Sequence, residues 1–230
     1  AQAVPEVAPQ ATPQANEVVA QEVATANTEL TPEQIAQMTP MEFATSLIGL
    51  DEDDDHDEVE KILTQWDAVK SWYDSQGIDV SNTNGAWCAA FVSHVLTQTG
   101  HADALEDVAT SGGTKRRNAF EFIRAKKFEN IGSPVKINEA KTGDIVVVKT
   151  RSGYHVGFYA GKGEDGKIKI LGGNQQAAGS SKGNQVTVNE YALDSLYSVR
   201  RPFEGSPTDT EIADISDELL ATTGSGTATR

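Results

Sequence analysis

A helix-rich first half followed by a strand-rich second half predicts an α+β domain. Three observations carry this reading. Residues 87–99 place Cys88, Phe91, Val92, Val95 and Leu96 at i, i+3, i+4, i+7 and i+8, the spacing of one buried helix face. After Gly132 the period changes to short β-branched or alternating runs. Gly-rich turns of a few residues separate those runs, which predicts an antiparallel meander.

Residues 1–30 are rich in Ala, Val, Pro, Gln and Glu and hold no aromatic. Such a stretch buries too little to repay its ordering entropy, so it is expected to be an extended acidic arm. Thr31-Pro32-Glu33-Gln34 and Thr39-Pro40-Met41-Glu42 both read as helix starts, each with a cap residue followed by Pro. Phe43, Leu47 and Ile48 then recur at helical spacing and are expected to pack on the domain. Asp51 to Glu58 is a dense acidic run. It has the alternating Asp of a calcium loop but lacks the Gly such loops need at their sharp turn. A solvated loop that also supplies charge to the next helix start is the simpler reading, with calcium at Asp51–Asp57 as the alternative. Val59, Ile62, Leu63, Trp66, Val69 and Trp72-Tyr73 predict an amphipathic helix that Gly77 ends. The helix from Trp87 is expected to stop at Gly100, and Asn118 to Lys127 has a second helical pattern with a basic outer face.

Six strands are expected: Pro134–Ile137, Asp144–Lys149, Tyr154–Gly161, Lys167–Leu171, Gln185–Val188 and Tyr197–Pro202. Residues 204–230 are polar and acidic, a flexible tail with a possible short helix over Glu211–Leu220. No apolar run approaches the roughly 18 residues a membrane span needs, and the first residues lack the basic start and apolar stretch of a secretory leader.

The net charge of −15 hides an asymmetry. Residues 1–84 carry −15, residues 85–203 carry +5 and residues 204–230 carry −5. A basic middle could meet an anionic polymer while the acidic ends repel one. Solubilising ends on an ordinary domain are the plainer reading.

Cys88 is the only cysteine in 230 residues, which excludes an internal disulfide. It falls at the first turn of its helix, where free N–H groups and the macrodipole favour a thiolate and could hold an oxyanion. A buried packing cysteine is the competing reading. Of the four histidines, His56 lies in the acidic run, His94 points away from Cys88 around the helix, and His101 reads as a surface residue. His155 opens a strand between Gly153-Tyr154 and Val156-Gly157-Phe158, a rigid position suited to a base. A base needs a group on its second nitrogen. Asn174, in Leu171-Gly172-Gly173-Asn174-Gln175 at the end of the next strand, is expected to reach His155. A metal site built on Cys88 and His155 lacks further ligands at suitable spacing.

Five blocks in order complete the pattern: Gly-Ala-Trp-Cys-Ala-Ala-Phe-Val, Thr-Gly-Asp-Ile-Val-Val-Val, Tyr-His-Val-Gly-Phe-Tyr, Leu-Gly-Gly-Asn-Gln and Val-Arg-Arg-Pro. Together they resemble the CHAP and NlpC-type papain-like cysteine hydrolases, closest to the CHAP-like branch of phage and bacterial cell-wall lytic proteins. The resemblance runs from about Phe43 to Phe203. It implies a papain-like α+β fold over residues 31–203, N-terminal helices packed on an antiparallel sheet of about five or six strands. It implies Cys88 as nucleophile, His155 as base and Asn174 as third member, cleaving an amide of peptidoglycan without metal or organic cofactor. The bond would join muramic acid to L-Ala or lie within the stem or cross-bridge peptide. Many members carry an acidic residue where this chain has Gly172, so His155 loses electrostatic support here. A polar side chain upstream of the Cys assists the oxyanion in papain-like enzymes, which makes Asn82 and Asn84 candidates. Trp87, Tyr154 and Gln175 flank the three and are further oxyanion or substrate-binding candidates. The expected partners are peptidoglycan and, through residues 1–30 and 204–230, phage structural proteins, with no nucleic acid and no membrane span. The expected setting is a phage particle or the host cytoplasm before lysis. A catalytically silent structural protein that keeps the hydrolase fold is the alternative.

Overall fold

The computed structural model describes residues 30–52, 57, 59, 62, 87–105, 124–176 and 183–203. The chain divides into two units, Ala1–Thr31 and Pro32–Arg230, and every element below belongs to the second. The expected arm and tail, the helix expected beyond Ile62 and the segment 106–123 lie outside the described residues.

Both Thr-Pro starts open helices. Helix α1 (Pro32–Ile35) is a single turn. Helix α2 (Pro40–Ser46) begins on a reciprocal cap: Thr39 Oγ1 accepts from the Glu42 N–H at 3.2 Å, and the Glu42 carboxylate accepts from the Thr39 N–H at 2.7 Å. Two of the orphan donors at the helix start are thereby satisfied. Phe43 is buried, and Leu47 and Ile48 pack against the same core. Val59 and Ile62 are also core residues, as the amphipathic pattern predicted for them.

Helix α3 (Cys88–Gln98) is the central packing element. Cys88 to Ser93, Val95 and Leu96 are all buried, a wider apolar surface than one stripe. Thr99 caps its end, and Gly100 adopts φ +79 so that the His101 N–H returns to the Leu96 carbonyl at 2.7 Å. His101 is not a free surface residue. Its ring stacks on Phe203 at 4.1 Å and its Nδ1 lies 3.2 Å from Thr99 Oγ1. Phe203, far away in sequence, supplies a partner that no local pattern announced.

The strands are β1 (Ser133–Pro134), β2 (Ile145–Thr150), β3 (Gly153–Lys162), β4 (Ile168–Gln176), β5 (Gly183–Tyr191) and β6 (Leu196–Arg201). They form one antiparallel sheet in the order β1-β6-β2-β3-β4-β5. The strand set as a whole is therefore not a simple meander. Strands β2 to β5 are one, but β6 returns across the sheet to pair with β2. Its two arginines fix it there. Arg201 grips Asp144 through Nε to Oδ1 at 3.0 Å and Nη2 to Oδ2 at 2.8 Å, while Arg200 donates to the carbonyls of Ile131 and Gly132 at 2.7 Å each. Asp144 has no exposed surface, so the bidentate pair is what makes its burial tolerable. Gly132, at φ +46, passes so close to the Arg201 carbonyl that a Cβ would overlap it.

Strand β1 is two residues long because Pro134 cannot donate to a ladder, and the expected strand gives way to a 3-10 turn over Ile137–Glu139. At the far edge, residues 49–51 run along β5, with Gly49 and Val186 and then Leu50 exchanging backbone bonds of 2.9 Å. One sheet edge is thus short and the other is covered at Gln185 and Val186. Helices α2 and α3 pack on one face, where Val147, Val156, Phe158, Leu171 and Val188 meet Phe91 and Val92. The other face carries Val146, Val148, Tyr159, Ile168, Ile170 and Val199. Among the described residues no helix is long and apolar enough to cross a membrane.

Candidate active site

Cys88 is the first residue of α3, and Trp87 precedes it as the N-cap without a side-chain capping bond. Trp87 has no exposed surface. Its indole N–H donates to the Glu52 carboxylate at 2.8 Å in a buried bond, and its ring meets Phe91 edge-on at 6.4 Å. Phe91 in turn meets Phe158 of β3 at 6.3 Å. This aromatic chain pins the start of α3 to the sheet.

The acidic run is correspondingly not a purely solvated loop. Glu52 is buried as the indole's acceptor, and Asp51 forms a bridge to Gln185 and accepts from its amide at 3.1 Å. Both carboxylates named for calcium at the start of the run therefore have structural partners. Asp53–His56 lie outside the described residues, and among the described residues no three His, Cys, Asp or Glu side chains converge as a metal would require.

The Cys88 sulfur is held by backbone. The backbone N–H groups of Val156, Ala89 and Cys88 itself favour the thiolate, but burial outweighs them and pushes the thiol pKa up. The Val156 contact brings β3 directly against the nucleophile candidate. It also fixes which way His155 faces. Tyr154, Val156 and Phe158 belong to the helix-side core, and His155 pairs across the ladder with Val148 on the opposite face. Cys88 and His155 thus lie on the two sides of one strand.

On that opposite face His155 is buried, 7% exposed, and its ring stacks on Tyr191 at 5.6 Å with an interplanar angle of 15°. Burial pulls its pKa down to about 4, partly opposed by the Gln175 side chain, so the imidazole is neutral at pH 7. Its Nε2 is buried and has no hydrogen-bond partner. Tyr191, a residue no sequence signal singled out, donates through its hydroxyl to Gln175 Oε1 at 2.9 Å. Burial raises the Tyr191 pKa first, and negative charge on Cys88 raises it further, so the phenol stays protonated.

The Leu-Gly-Gly-Asn-Gln block explains how these parts fit. Gly172 and Gly173 point to opposite faces of β4. A Cβ on Gly172 would come to 3.1 Å of His155 Nε2 and 3.4 Å of Gln175 Nε2. A Cβ on Gly173 would overlap the Trp87 indole and come to 2.8 Å of Phe91 Cβ. One glycine makes room for the histidine and the other for the tryptophan beside the cysteine.

Asn174 follows at φ +55, in a bulge where three residues of β4 span two of β5. The extra residue resets the alternation. Gln175, rather than Asn174, turns onto the face of Gly172 and His155. Its Nε2 donates to the carbonyls of Gly172 at 3.0 Å and Ile170 at 3.2 Å, and also to that of Thr187. Asn174 is half-buried, and its side chain is not hydrogen-bonded to His155. Tyr154, half-buried, packs edge-on against Tyr197 at 4.9 Å. Asn82 and Asn84 lie outside the described residues.

No protein-family model matches this chain, and no curated protein matches it in sequence.

Proposed function

We propose that the chain is a thiol hydrolase of papain-like, CHAP or NlpC type that cleaves an amide of peptidoglycan. One observation carries this reading. The thiol stands at the first position of α3, where backbone N–H groups favour its thiolate, among them that of Val156, the neighbour of the strand histidine His155. Donors so placed suit a thiolate before attack and the carbonyl oxygen during it.

In the proposed reaction the Cys88 thiolate attacks the amide carbonyl and the C–N bond breaks. The amine leaves with the proton that His155 took from the thiol, an exchange that requires the imidazole to move from the far side of β3 to the sulfur, and water then releases the acyl group from sulfur. A histidine held neutral is the form that can accept the thiol proton at the outset. Gln175 and Tyr191 position the ring, in the place where Asn174 was expected. The resemblance of the five sequence blocks supports the wall polymer as substrate, and the acidic terminal segments suit attachment to phage structural proteins.

A second reading is favoured by a specific observation. The thiol is protonated by burial and the imidazole lies on the far side of β3, as a silent structural protein with a hydrolase fold would allow. Zymography on purified cell walls separates the two. Clearing by the wild type, lost in Cys88→Ala and reduced at least 100-fold in His155→Ala, is expected for the enzyme. No clearing by the wild type establishes the silent protein. Mass spectrometry of the digested muropeptides then identifies the bond from its new termini.

A further inference from the structure

A cleft of about 530 Å³ opens beside Tyr154, lined by Arg124, Lys126, Lys127 and Glu129. It lies within the volume range of small-ligand sites. The Lys126 ammonium stands 5.5 Å from the Tyr154 ring centroid and 5.6 Å from that of Tyr197. Tyr197 is 40% exposed, a large side chain that contributes little to the core. Glu129 pushes the pKa of its phenol up and Lys126 opposes that, so all three groups lie close together at the cleft. Lys149 pairs with Tyr154 across β2 and β3, so it rises from the same face, and it is exposed. Three cations and one carboxylate therefore line the cleft, Lys149 stands beside Tyr154, and the Lys126 ammonium lies over both rings.

The position of this cleft matters as much as its charge. Tyr154 precedes by two residues the Val156 whose N–H meets Cys88, and both face the helix side. Two residues of strand span roughly 6.6 Å. An extended ligand lying along β3 with its carbonyl at the thiol would reach the cleft with its next residue or two.

We propose that this cleft is a subsite for a carboxylate of the wall polymer's stem peptide, with Lys126 and Lys149 as its charge partners and Tyr154 and Tyr197 as its apolar walls. The choice of occupant rests on the peptidoglycan reading. The local charge does not: Arg124, Lys126, Lys127 and Lys149 against Glu129 belong to the basic stretch 85–203, net +5, of an acidic chain. Carboxylate held between ammonium groups and packed on aromatic faces combines ion pairing with apolar contact, and exposure of both lysines makes the attraction salt-sensitive.

The test uses the full chain carrying Cys88→Ala, labelled with ¹⁵N, so that binding is read without turnover. The probes are N-acetylmuramoyl-L-alanyl-D-glutamic acid and its diamide. The acid is expected to move the amide resonances of Lys126, Lys127 and Tyr154 and to bind at least fivefold more tightly than the diamide. Lys126→Gln with Lys149→Gln is expected to erase that difference, and both side chains are exposed enough for the fold to survive. Equal affinity for acid and diamide, no binding of either, or shifts that leave those three amides unmoved would overturn the proposal. Zymography keeps the two readings apart. A protein that clears no wall yet prefers the acid loses the hydrolase reading and keeps the cleft. One that clears walls and binds both forms alike loses the cleft alone.

Discussion

His155 shows how one residue's surroundings set its chemistry. An imidazole stacked on Tyr191 and sealed under β4 cannot easily carry charge, hence its pKa near 4 against an ordinary 6.5. Between those values the unfolded chain binds a proton that the folded chain does not. Folding is therefore favoured fully above pH 6.5 and loses that contribution as pH falls toward 4. A shift of this size corresponds to about 3 kcal/mol. Urea titrations of the wild type and His155→Gln across pH 7 to 4 are expected to show the wild type losing about 3 kcal/mol more than the variant. Parallel curves would mean that the imidazole is hydrated in solution. The thiol obeys the same rule with the opposite sign: burial raises its pKa, and three N–H donors only partly offset this.

Two joints between elements carry much of the architecture. At the first, the two faces of the Gly172-Gly173 pair let β4 lie against His155 and Trp87 simultaneously. Gly173→Ala is expected to cost about 1–3 kcal/mol by overpacking. It should also shift the Trp87 indole N–H resonance, because the displaced ring strains its bond to Glu52. An unmoved resonance would show that β4 yields instead of the helix. At the second, Arg201 closes β6 over the turn before β2. Removing it in Arg201→Met leaves the Asp144 carboxylate buried with only the Lys141 N–H at 2.9 Å among its described donors from outside that pair. The expected loss is about 3–5 kcal/mol in urea denaturation, with part of it recovered when Asp144→Asn removes the stranded charge. The Thr-Gly-Asp and Arg-Arg-Pro blocks are thus two halves of one structural clasp, far apart in sequence.

Across the molecule, charge is segregated. Residues 1–30 and 204–230 together carry nine net negative charges, against the basic stretch that includes the Tyr154 cleft. Under the proposed function these segments oppose adsorption to an anionic wall. Their removal is expected to raise the fraction of protein co-sedimenting with purified sacculi at low salt, with the difference disappearing near 1 M salt, where the Debye length is about 3 Å. Equal co-sedimentation at low salt would show that the terminal segments do not act on wall binding electrostatically.

The sequence by itself determined the α+β class, both Thr-Pro helix starts, the placement of Cys88 at the head of a buried helix and the strand that carries His155. Each depends on near neighbours: a cap, a period of 3.6 or 2, a turn residue. Only the tertiary structure decided the return of β6 beside β2, because Arg200 and Arg201 find their partners some 57 to 69 residues away. The same holds for Glu52, which reads as solvated charge until Trp87 arrives to bury it. The residue beside His155 is the sharpest case. Simple alternation along β4 aims Asn174 at His155, but one extra residue at φ +55 reverses the alternation and delivers Gln175. A single-residue bulge inverts every side chain beyond it, and no local pattern in Gly-Gly-Asn-Gln distinguishes a strand that contains one from a strand that does not.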